Sequence, residues 1–193
     1  MQKANTPAKV QDLLNALTFN FEKPARRGGT GETKKSPLRV LRTGSAHCLE
    51  GAVLGAYILS IHGHKPLIMH LKTTKKDFDH VIAPFKINGY WGALSKTAHA
   101  VLRYREPVYK NIRELAMSYF HEYFLDTGEK TLRSYSVPLN LNLFEKGWET
   151  EMRDLWGIDE ELDKIRHFDI APKITWKKLR LADPIEVKAG KLV

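Results

Sequence analysis

Apolar residues recur at helical spacing near the start of the chain, at Val10, Leu13, Leu14 and Leu17. This spacing predicts a helix over residues 7–17 with one buried face, and Pro7 suits its first turn. The following residues, 23–37, are rich in lysine, arginine, glycine and proline, which indicates a basic loop.

A second helix is predicted over residues 46–61, where small and apolar side chains occupy every face. Ser45 is its predicted N-cap, because a hydroxyl group there accepts a hydrogen bond from an amide of the first turn. His62-Gly63 is its predicted end, since glycine readily adopts the left-handed conformation that follows many helices. A helix of this kind is expected in the core of a domain.

A strand and a tight hairpin are predicted after this helix. Residues 65–71 form the strand, and the apolar runs 81–87 and 90–95 flank Asn88-Gly89. Asn-Gly favours a type I′ turn, because both central residues of that turn need positive φ. Pro84 lacks an amide hydrogen for the ladder, so it predicts either a sheet edge or a bulge.

The second half of the chain predicts mainly helices. Residues 107–124 form an apolar stripe at helical spacing, and Pro107 is the predicted opening residue. Residues 148–156 and 159–168 have helical patterns with one charged side, whereas residues 174–181 predict a strand.

Composition narrows the class of protein. The chain has 193 residues, of which 42% are hydrophobic, enough for one globular domain with a substantial core. The longest apolar stretch, around residues 52–61, is too short to cross a bilayer. One cysteine cannot form an internal disulfide, and residues 1–5 lack the apolar core of a secretory signal. Both features favour a cytoplasmic location.

Charge is unevenly distributed. The formal net charge is +9, and residues 1–47 carry nine Lys/Arg side chains against three acidic ones. This excess fits a solvated basic face or a patch for nucleic acid or an anionic substrate. Because no aromatic interleaving or recognition motif accompanies it, the sequence disfavours nucleic-acid binding but leaves it as an alternative.

Motifs for cofactors and metals are missing from the sequence. It has no phosphate loop, dinucleotide fingerprint or cofactor-binding lysine motif, so no cofactor is expected. His62, His64 and His70 straddle a predicted turn and lack a second cysteine or a nearby set of carboxylates. No metal is therefore expected at these histidines.

Cys48 lies three residues after the predicted cap, in the first turn of the second helix. Backbone N–H groups there lack intrahelical partners and the helix dipole is positive, so both favour a thiolate. The same N–H groups can hold a developing oxyanion. The alternative is a small buried hydrophobic residue, which is the role of most lone cysteines.

His80 is the best placed of eight histidines to act as a base. A two-residue turn at Asn88-Gly89 pairs residues whose numbers sum to 177, so His80 is expected opposite Thr97 and diagonal to Ser95. The return strand thus brings hydroxyl groups to the position where a histidine-orienting group belongs.

Two motifs in this region resemble a known superfamily. The first is GSAHCLEGA at residues 44–52, followed by the apolar residues 56–63; the second is DHV at 79–81, followed by NGYW at 88–91. They resemble the nucleophile helix and the histidine strand with its Gly-x-Trp return in the transglutaminase-like superfamily. The resemblance covers about residues 38–100. It implies a papain-like cysteine core in which Cys48 matches the nucleophile and His80 the base.

The third catalytic position departs from the superfamily pattern. An aspartate usually follows the return-strand tryptophan by a few residues, whereas Trp91 is followed here by Ser95. A serine can accept from the histidine N–H and so fix the tautomer, but it cannot stabilise an imidazolium as a carboxylate does. Asp79 is a poor substitute, because its neighbour His80 should project from the opposite face of the strand.

We therefore expect a single α+β domain with a papain/transglutaminase-like core at about 38–126, a buried nucleophile helix packed on an antiparallel sheet. An N-terminal helix and basic loop (1–37) and a C-terminal extension (127–193) add helical segments. The expected activity is acyl transfer on a peptide or amide substrate by Cys48, His80 and Ser95, with hydrolysis favoured over amine transfer. The alternatives are a non-catalytic binding or scaffolding module of the same fold and a basic nucleic-acid-binding protein.

Overall fold

The computed structural model describes residues 3–22 and 31–192. Over these residues the protein is a mixed α+β structure in which helices pack on an antiparallel sheet. The predicted basic loop lies partly outside this part of the chain, since residues 23–30 are not described. Residues 31–36 have no regular secondary structure.

In chain order the helices are α1 (Pro7–Ala16), α2 (Pro37–Thr43), α3 (Cys48–Ile61), α4 (Ile112–Met117), α5 (Trp156–Lys164), α6 (Lys173–Trp176) and α7 (Pro184–Gly190). The strands are β1 (Thr18–Phe19), β2 (Ser45–Ala46), β3 (Leu67–Lys72), β4 (His80–Ile87), β5 (Tyr90–Ser95), β6 (Arg105–Tyr109), β7 (Ser134–Ser136), β8 (Leu139–Asn140) and β9 (His167–Asp169). Short 3₁₀ helices lie at Phe120–Glu122 and Leu141–Leu143. None of the helices in the described ranges has the length and apolarity needed to cross a membrane.

The main sheet has the strand order β6-β5-β4-β3-β7-β9, and β8 pairs with the start of β3. Its centre is the predicted hairpin. Asn88 and Gly89 have φ angles of 49° and 86°, and Ile87 pairs with Tyr90 across the turn. These values are those of a type I′ turn, which explains why Asn-Gly identified the hairpin correctly.

Pro84 lies opposite Ala93 with no shift of register, so the bulge considered for this position does not occur. The other neighbour of β4 is β3, and it pairs with β4 only from His80 to Ile82. Pro84 therefore has a neighbouring strand, β5, on one side only. A residue without an amide hydrogen is tolerated at such a position.

Two apolar cores lie on opposite faces of the sheet. Val81 and Ala83 of β4 face the core shared with α1 and α3, whereas Ile82 between them faces the core shared with α4. α3 is the most deeply buried helix of the first core: ten of its 14 residues are buried. Its apolar pattern on every side correctly indicated this burial.

The helix predicted over residues 107–124 is wrong at both ends, because only α4 and the 3₁₀ helix at Phe120–Glu122 are formed there. Pro107 lies in β6, the edge strand of the sheet, where proline is tolerated. The helix α4 begins only after Asn111, whose side chain accepts a hydrogen bond from the amide of Glu114 at 2.9 Å. Asparagine is a strong N-cap, and it sets the helix start five residues later than the proline suggested.

The predictions for the C-terminal part also need correction. Residues 148–155 form a turn followed by bends and irregular structure, and the helical pattern is realised only as α5, which ends before β9. The strand predicted over 174–181 is replaced by the short helix α6. Trp176 of this helix packs under the guanidinium of Arg133 at 4.6 Å, a long-range contact that local pattern does not reveal.

Candidate active site

Cys48 is the first residue of α3, and the N-cap of this helix is His47. The prediction that Ser45 caps the helix is wrong, because Ser45 pairs with Thr18 in the two-stranded sheet β1-β2. The side-chain hydroxyl and the carbonyl of Ser45 both accept hydrogen bonds from the ammonium group of Lys35, at 3.0 and 2.7 Å. Cys48 therefore lies even closer to the positive end of the helix than expected.

Glu50 fastens the start of α3 to the loop before it. Its side chain is fully buried and accepts hydrogen bonds from the His47 amide at 3.0 Å, the Thr33 hydroxyl at 2.7 Å and the Lys35 amide at 3.0 Å. The Lys35 ammonium lies 3.5 Å from the carboxylate. A buried carboxylate is tolerated only with such a set of partners, so this network holds the first turn of α3 in one position.

Gly51 brings the first turn of α3 against the chain that leaves β5. A Cβ atom added at Gly51 would lie 2.3 Å from the Cβ of Lys96, so no larger residue fits this approach. Lys96 directly follows Ser95. The close contact thus places Cys48 next to the end of the hairpin that carries His80.

His80 and Ser95 meet across the hairpin as the register predicted. Ile82 pairs with Ser95, and the His80 Nε2 atom lies 2.8 Å from the Ser95 Oγ atom. Both side chains are buried. The Ser95 hydroxyl donates its hydrogen to the carbonyl of Leu102, so it can only accept from His80. Nε2 of His80 therefore carries a proton, and Nδ1 is the nitrogen left to act as a base.

Thr97 does not take the predicted place opposite His80. β5 ends at Ser95, and the residue paired with His80 is Leu71 of β3. Asp79 also stays apart from His80, as expected for adjacent residues of a strand. Its carboxylate accepts from the Thr73 amide at 2.7 Å and lies 3.2 Å from Nε2 of His70.

Gln11 of α1 holds the backbone of Ser95 from the other side. Its side-chain amide oxygen accepts from the Ser95 amide at 2.9 Å, and its nitrogen donates to the Ser95 carbonyl at 2.8 Å. These two hydrogen bonds satisfy the backbone groups of Ser95 as a neighbouring strand would. Sequence reasoning missed Gln11, because it lies 84 residues from Ser95 and follows no local pattern.

Cys48 is half-buried. Burial alone raises the pKa of its thiol. Hydrogen bonds from His47 and His80, together with their charges, outweigh burial and hold the pKa of Cys48 well below its usual range. The amide of Cys48 itself, at the first helical position, has no intrahelical acceptor.

His47 is the second residue that sequence reasoning missed. The signal was present in part, since Glu50 three residues later completes a capping box. Histidine is not among the usual capping residues, and Ser45 offered a more ordinary choice two positions earlier. The candidate active site therefore contains a cysteine and two histidines that lower its pKa.

No group of three or more potential metal ligands occurs among residues 3–22 and 31–192. A cavity of about 620 Å³ lies elsewhere, lined by residues that include Phe144, Trp148 and Trp156 but neither Cys48 nor His80. Compared with known proteins, the chain matches no family model and no curated protein sequence.

Proposed function

We propose that the protein has a papain/transglutaminase-like core and performs cysteine-dependent acyl transfer on an amide or peptide bond, with water as the preferred acceptor. The observation that carries the proposal is the arrangement of three groups. His80 helps to hold the pKa of the Cys48 thiol well below its usual range, and His80 Nε2 lies 2.8 Å from the hydroxyl of Ser95. A nucleophile, a base and a group that orients the base are the elements of covalent acyl transfer.

In the first half of the reaction the Cys48 thiolate attacks the carbonyl carbon and a C–S bond forms. The negative charge that develops on the carbonyl oxygen is stabilised by amides at the start of α3, including that of Cys48. Nδ1 of His80, which takes up the Cys48 proton as the thiolate forms, gives that proton to the leaving nitrogen as the C–N bond breaks. A thioester on Cys48 remains.

In the second half His80 accepts a proton from water at Nδ1 while the water oxygen attacks the thioester. The C–S bond breaks, the carboxylic acid product leaves, and the thiolate is restored. Hydrolysis is the preferred outcome because water needs no second binding site. A primary amine that reached the thioester would give amine transfer by the same steps.

A non-catalytic binding module is the second candidate, and one observation favours it. The group that contacts His80 is a neutral hydroxyl, which orients the ring but stabilises an imidazolium less than a carboxylate does. Such a protein would keep the fold and the cysteine without turnover.

Reaction with p-nitrophenyl acetate separates the two candidates. The enzyme is expected to form an acetyl-Cys48 thioester, visible by intact mass, and to release nitrophenol over many turnovers. His80→Ala is expected to accumulate the thioester, and Cys48→Ser to form none. A protein that is acetylated once and never deacylated would support the module and reject the enzyme.

A primary amine added to the same reaction tests the acceptor. Hydrolysis predicts acetate as the main product at moderate amine concentration, whereas transfer predicts the acetylated amine. Persistent formation of the amide at the expense of acetate would reverse the preference for water.

A further inference from the structure

Leu102 has a left-handed backbone conformation, with a φ angle of 60°. A bulky, non-glycine residue is strained in this region and stays there only where its surroundings fix it. The side chain of Leu102 is buried in the core shared with α4. Its carbonyl accepts the hydrogen of the Ser95 hydroxyl, so the strained residue lies one hydrogen bond from the group that contacts His80. Strain at such a position indicates a functional constraint.

A carboxylate holds the backbone of Leu102 from the other side. The Leu102 amide donates to an oxygen of Glu122, in the 3₁₀ helix Phe120–Glu122, at 2.7 Å. The same oxygen lies 2.6 Å from the guanidinium of Arg105. The carboxylate thus fixes the peptide group before Leu102, and the left-handed turn directs the carbonyl after it towards Ser95.

Arg105 is itself fixed by the end of α4. Its guanidinium donates to the hydroxyl and the carbonyl of Ser118 at 3.0 and 3.1 Å, and it lies over the ring of Tyr119 at 4.1 Å. The Tyr119 hydroxyl donates to the carbonyl of Arg103 at 3.2 Å. These contacts join the chain on both sides of Leu102 to one helix end, so the strained turn has a rigid support.

We propose that Glu122, braced by Arg105, is a positioning residue that sets the tautomer of His80 through the Leu102 carbonyl. With the carbonyl in place the Ser95 hydroxyl donates to it, so the neutral His80 ring donates from Nε2 and keeps a lone pair at Nδ1. Without the carbonyl the hydroxyl is free to donate to Nε2, and the proton of the neutral ring moves to Nδ1. The ring then has no lone pair at Nδ1 to act as a base.

This role rests on the proposed function, and it answers a need that a serine creates. A carboxylate in contact with the histidine only accepts, so it fixes the tautomer by itself. A hydroxyl both donates and accepts, so another group must fix its direction. Glu122 supplies a carboxylate for this purpose, two hydrogen-bonded groups away from His80. It touches no reacting atom, and its effect on the base passes through Leu102 and Ser95.

Imidazole nitrogen NMR of His80 tests the tautomer without any substrate. The spectra are recorded for Cys48→Ser, in which no thiolate can hold a second proton on the ring. A neutral ring protonated at Nε2 is expected in this protein, and a mixture of both tautomers after the further change Glu122→Ala. Glu122→Gln should restore the Nε2–H form, because its amide oxygen still accepts from the Leu102 amide.

The ester assay with the native cysteine gives a second measurement. Glu122→Ala is expected to lower kcat for p-nitrophenyl acetate about tenfold with little change in KM, because the tautomer affects proton transfer and not binding. In Ser95→Ala the same change should have little further effect, since the hydroxyl that it directs is absent. Glu114→Ala is the matched control: this carboxylate also accepts from a backbone amide, that of Lys110 at 2.8 Å, and its loss should leave tautomer and kcat unchanged.

An Nδ1–H ring in Cys48→Ser, or an unchanged tautomer in a folded Glu122→Ala variant, would overturn the inference. A loss of rate that is equally large in the Ser95→Ala background or in Glu114→Ala would assign the effect to stability and also reject it. If Glu122→Ala does not fold, Arg105→Lys takes its place and should shift the tautomer in the same direction; an unchanged tautomer there would equally contradict the role. The expected tautomers without ester turnover would reject the proposed function alone.

Discussion

His80 Nε2 and Ser95 Oγ lie 2.8 Å apart at the end of the β4–β5 hairpin, and the Ser95 hydroxyl gives its own hydrogen to the carbonyl of Leu102. This chain of two hydrogen bonds has one direction, because a carbonyl cannot donate. It leaves Nδ1 of His80 for proton transfer. In the proposed reaction the serine would perform the orienting half of the task of a carboxylate.

Removal of the Ser95 hydroxyl, which accepts from His80, should impair His80 as a base. We expect Ser95→Ala to lower kcat/KM for p-nitrophenyl acetate by at least about tenfold, because a buried donor left without a partner costs roughly 1–3 kcal/mol. Thr97→Ala is the matched control, since its hydroxyl lies just beyond β5 and accepts a hydrogen bond from the His99 amide at 3.0 Å. Equal rates in the two variants would show that Ser95 does not orient the base.

Replacing Ser95 by aspartate, the residue usual in the transglutaminase-like superfamily, should not increase activity. In Ser95→Asp a carboxylate would face the Leu102 carbonyl, which now receives the serine hydrogen. Two acceptors in contact in a buried position are unfavourable, so we expect lower stability in urea unfolding and no gain in kcat/KM. A faster and equally stable variant would mean that the serine is only a weakened form of the usual triad.

Gln11 should act on the site through Ser95. Gln11→Glu keeps the shape but replaces the donor to the Ser95 carbonyl by an oxygen. We expect a loss of roughly 1–3 kcal/mol in the free energy of unfolding and a reduced kcat. Asn15→Ala, which removes only the exposed outer partner of Gln11, should change stability by less than about 0.5 kcal/mol. Comparable effects of both changes would contradict this positioning role.

Local sequence signals predicted the parts of the site that one hairpin contains. Asn88-Gly89 set the turn, the turn set the register, and the register placed Ser95 diagonal to His80. The apolar run before Gly63 likewise predicted the buried helix that carries the cysteine. In these cases a short-range rule and the tertiary structure agree.

The parts that failed depend on contacts between distant segments. Ser45 has the side chain of a typical N-cap, but it pairs with Thr18 of β1 instead. These two residues lie 27 positions apart in the sequence, so no local pattern predicts the pairing. The clamp from Gln11 bridges an even longer stretch of chain. Pro107 opened a predicted helix, but an edge strand accepts proline equally well. Propensity alone does not choose between such alternatives.

The contact between Asp79 and His70 should make stability depend on pH. Burial raises the pKa of Asp79, but hydrogen bonds from His70 and Thr73 outweigh burial and lower it below its usual value. The folded protein therefore keeps this carboxylate charged at a pH where the unfolded chain, with a pKa of about 3.9, is protonated. Its contribution is complete above that value and is lost as the pH falls through the folded pKa.

We expect Asp79→Asn to be less stable than the wild-type protein near neutral pH, with a gap that narrows as the medium becomes acidic. Urea unfolding across the acidic range measures this gap. Because the Asp79 side chain is 36% exposed, the gap should be modest and should shrink in high salt. If the difference in stability between Asp79→Asn and the wild-type protein did not change with pH, the loss would come from packing and not from charge.

Gly51 should be the most sensitive position in α3, because its lack of a side chain sets the distance between Cys48 and the hairpin. The methyl group in Gly51→Ala would meet the Cβ of Lys96 at 2.3 Å, and backbone on both sides must move. We expect a loss of roughly 1–3 kcal/mol in the free energy of unfolding, with a higher thiol pKa as the sulfur moves away from His80. Gly157→Ala in α5 is the matched control, since nothing lies within 4 Å of the added atom and alanine favours a helix. If Gly51→Ala folds with wild-type stability and an unchanged thiol titration, the close approach does not determine the geometry of the site.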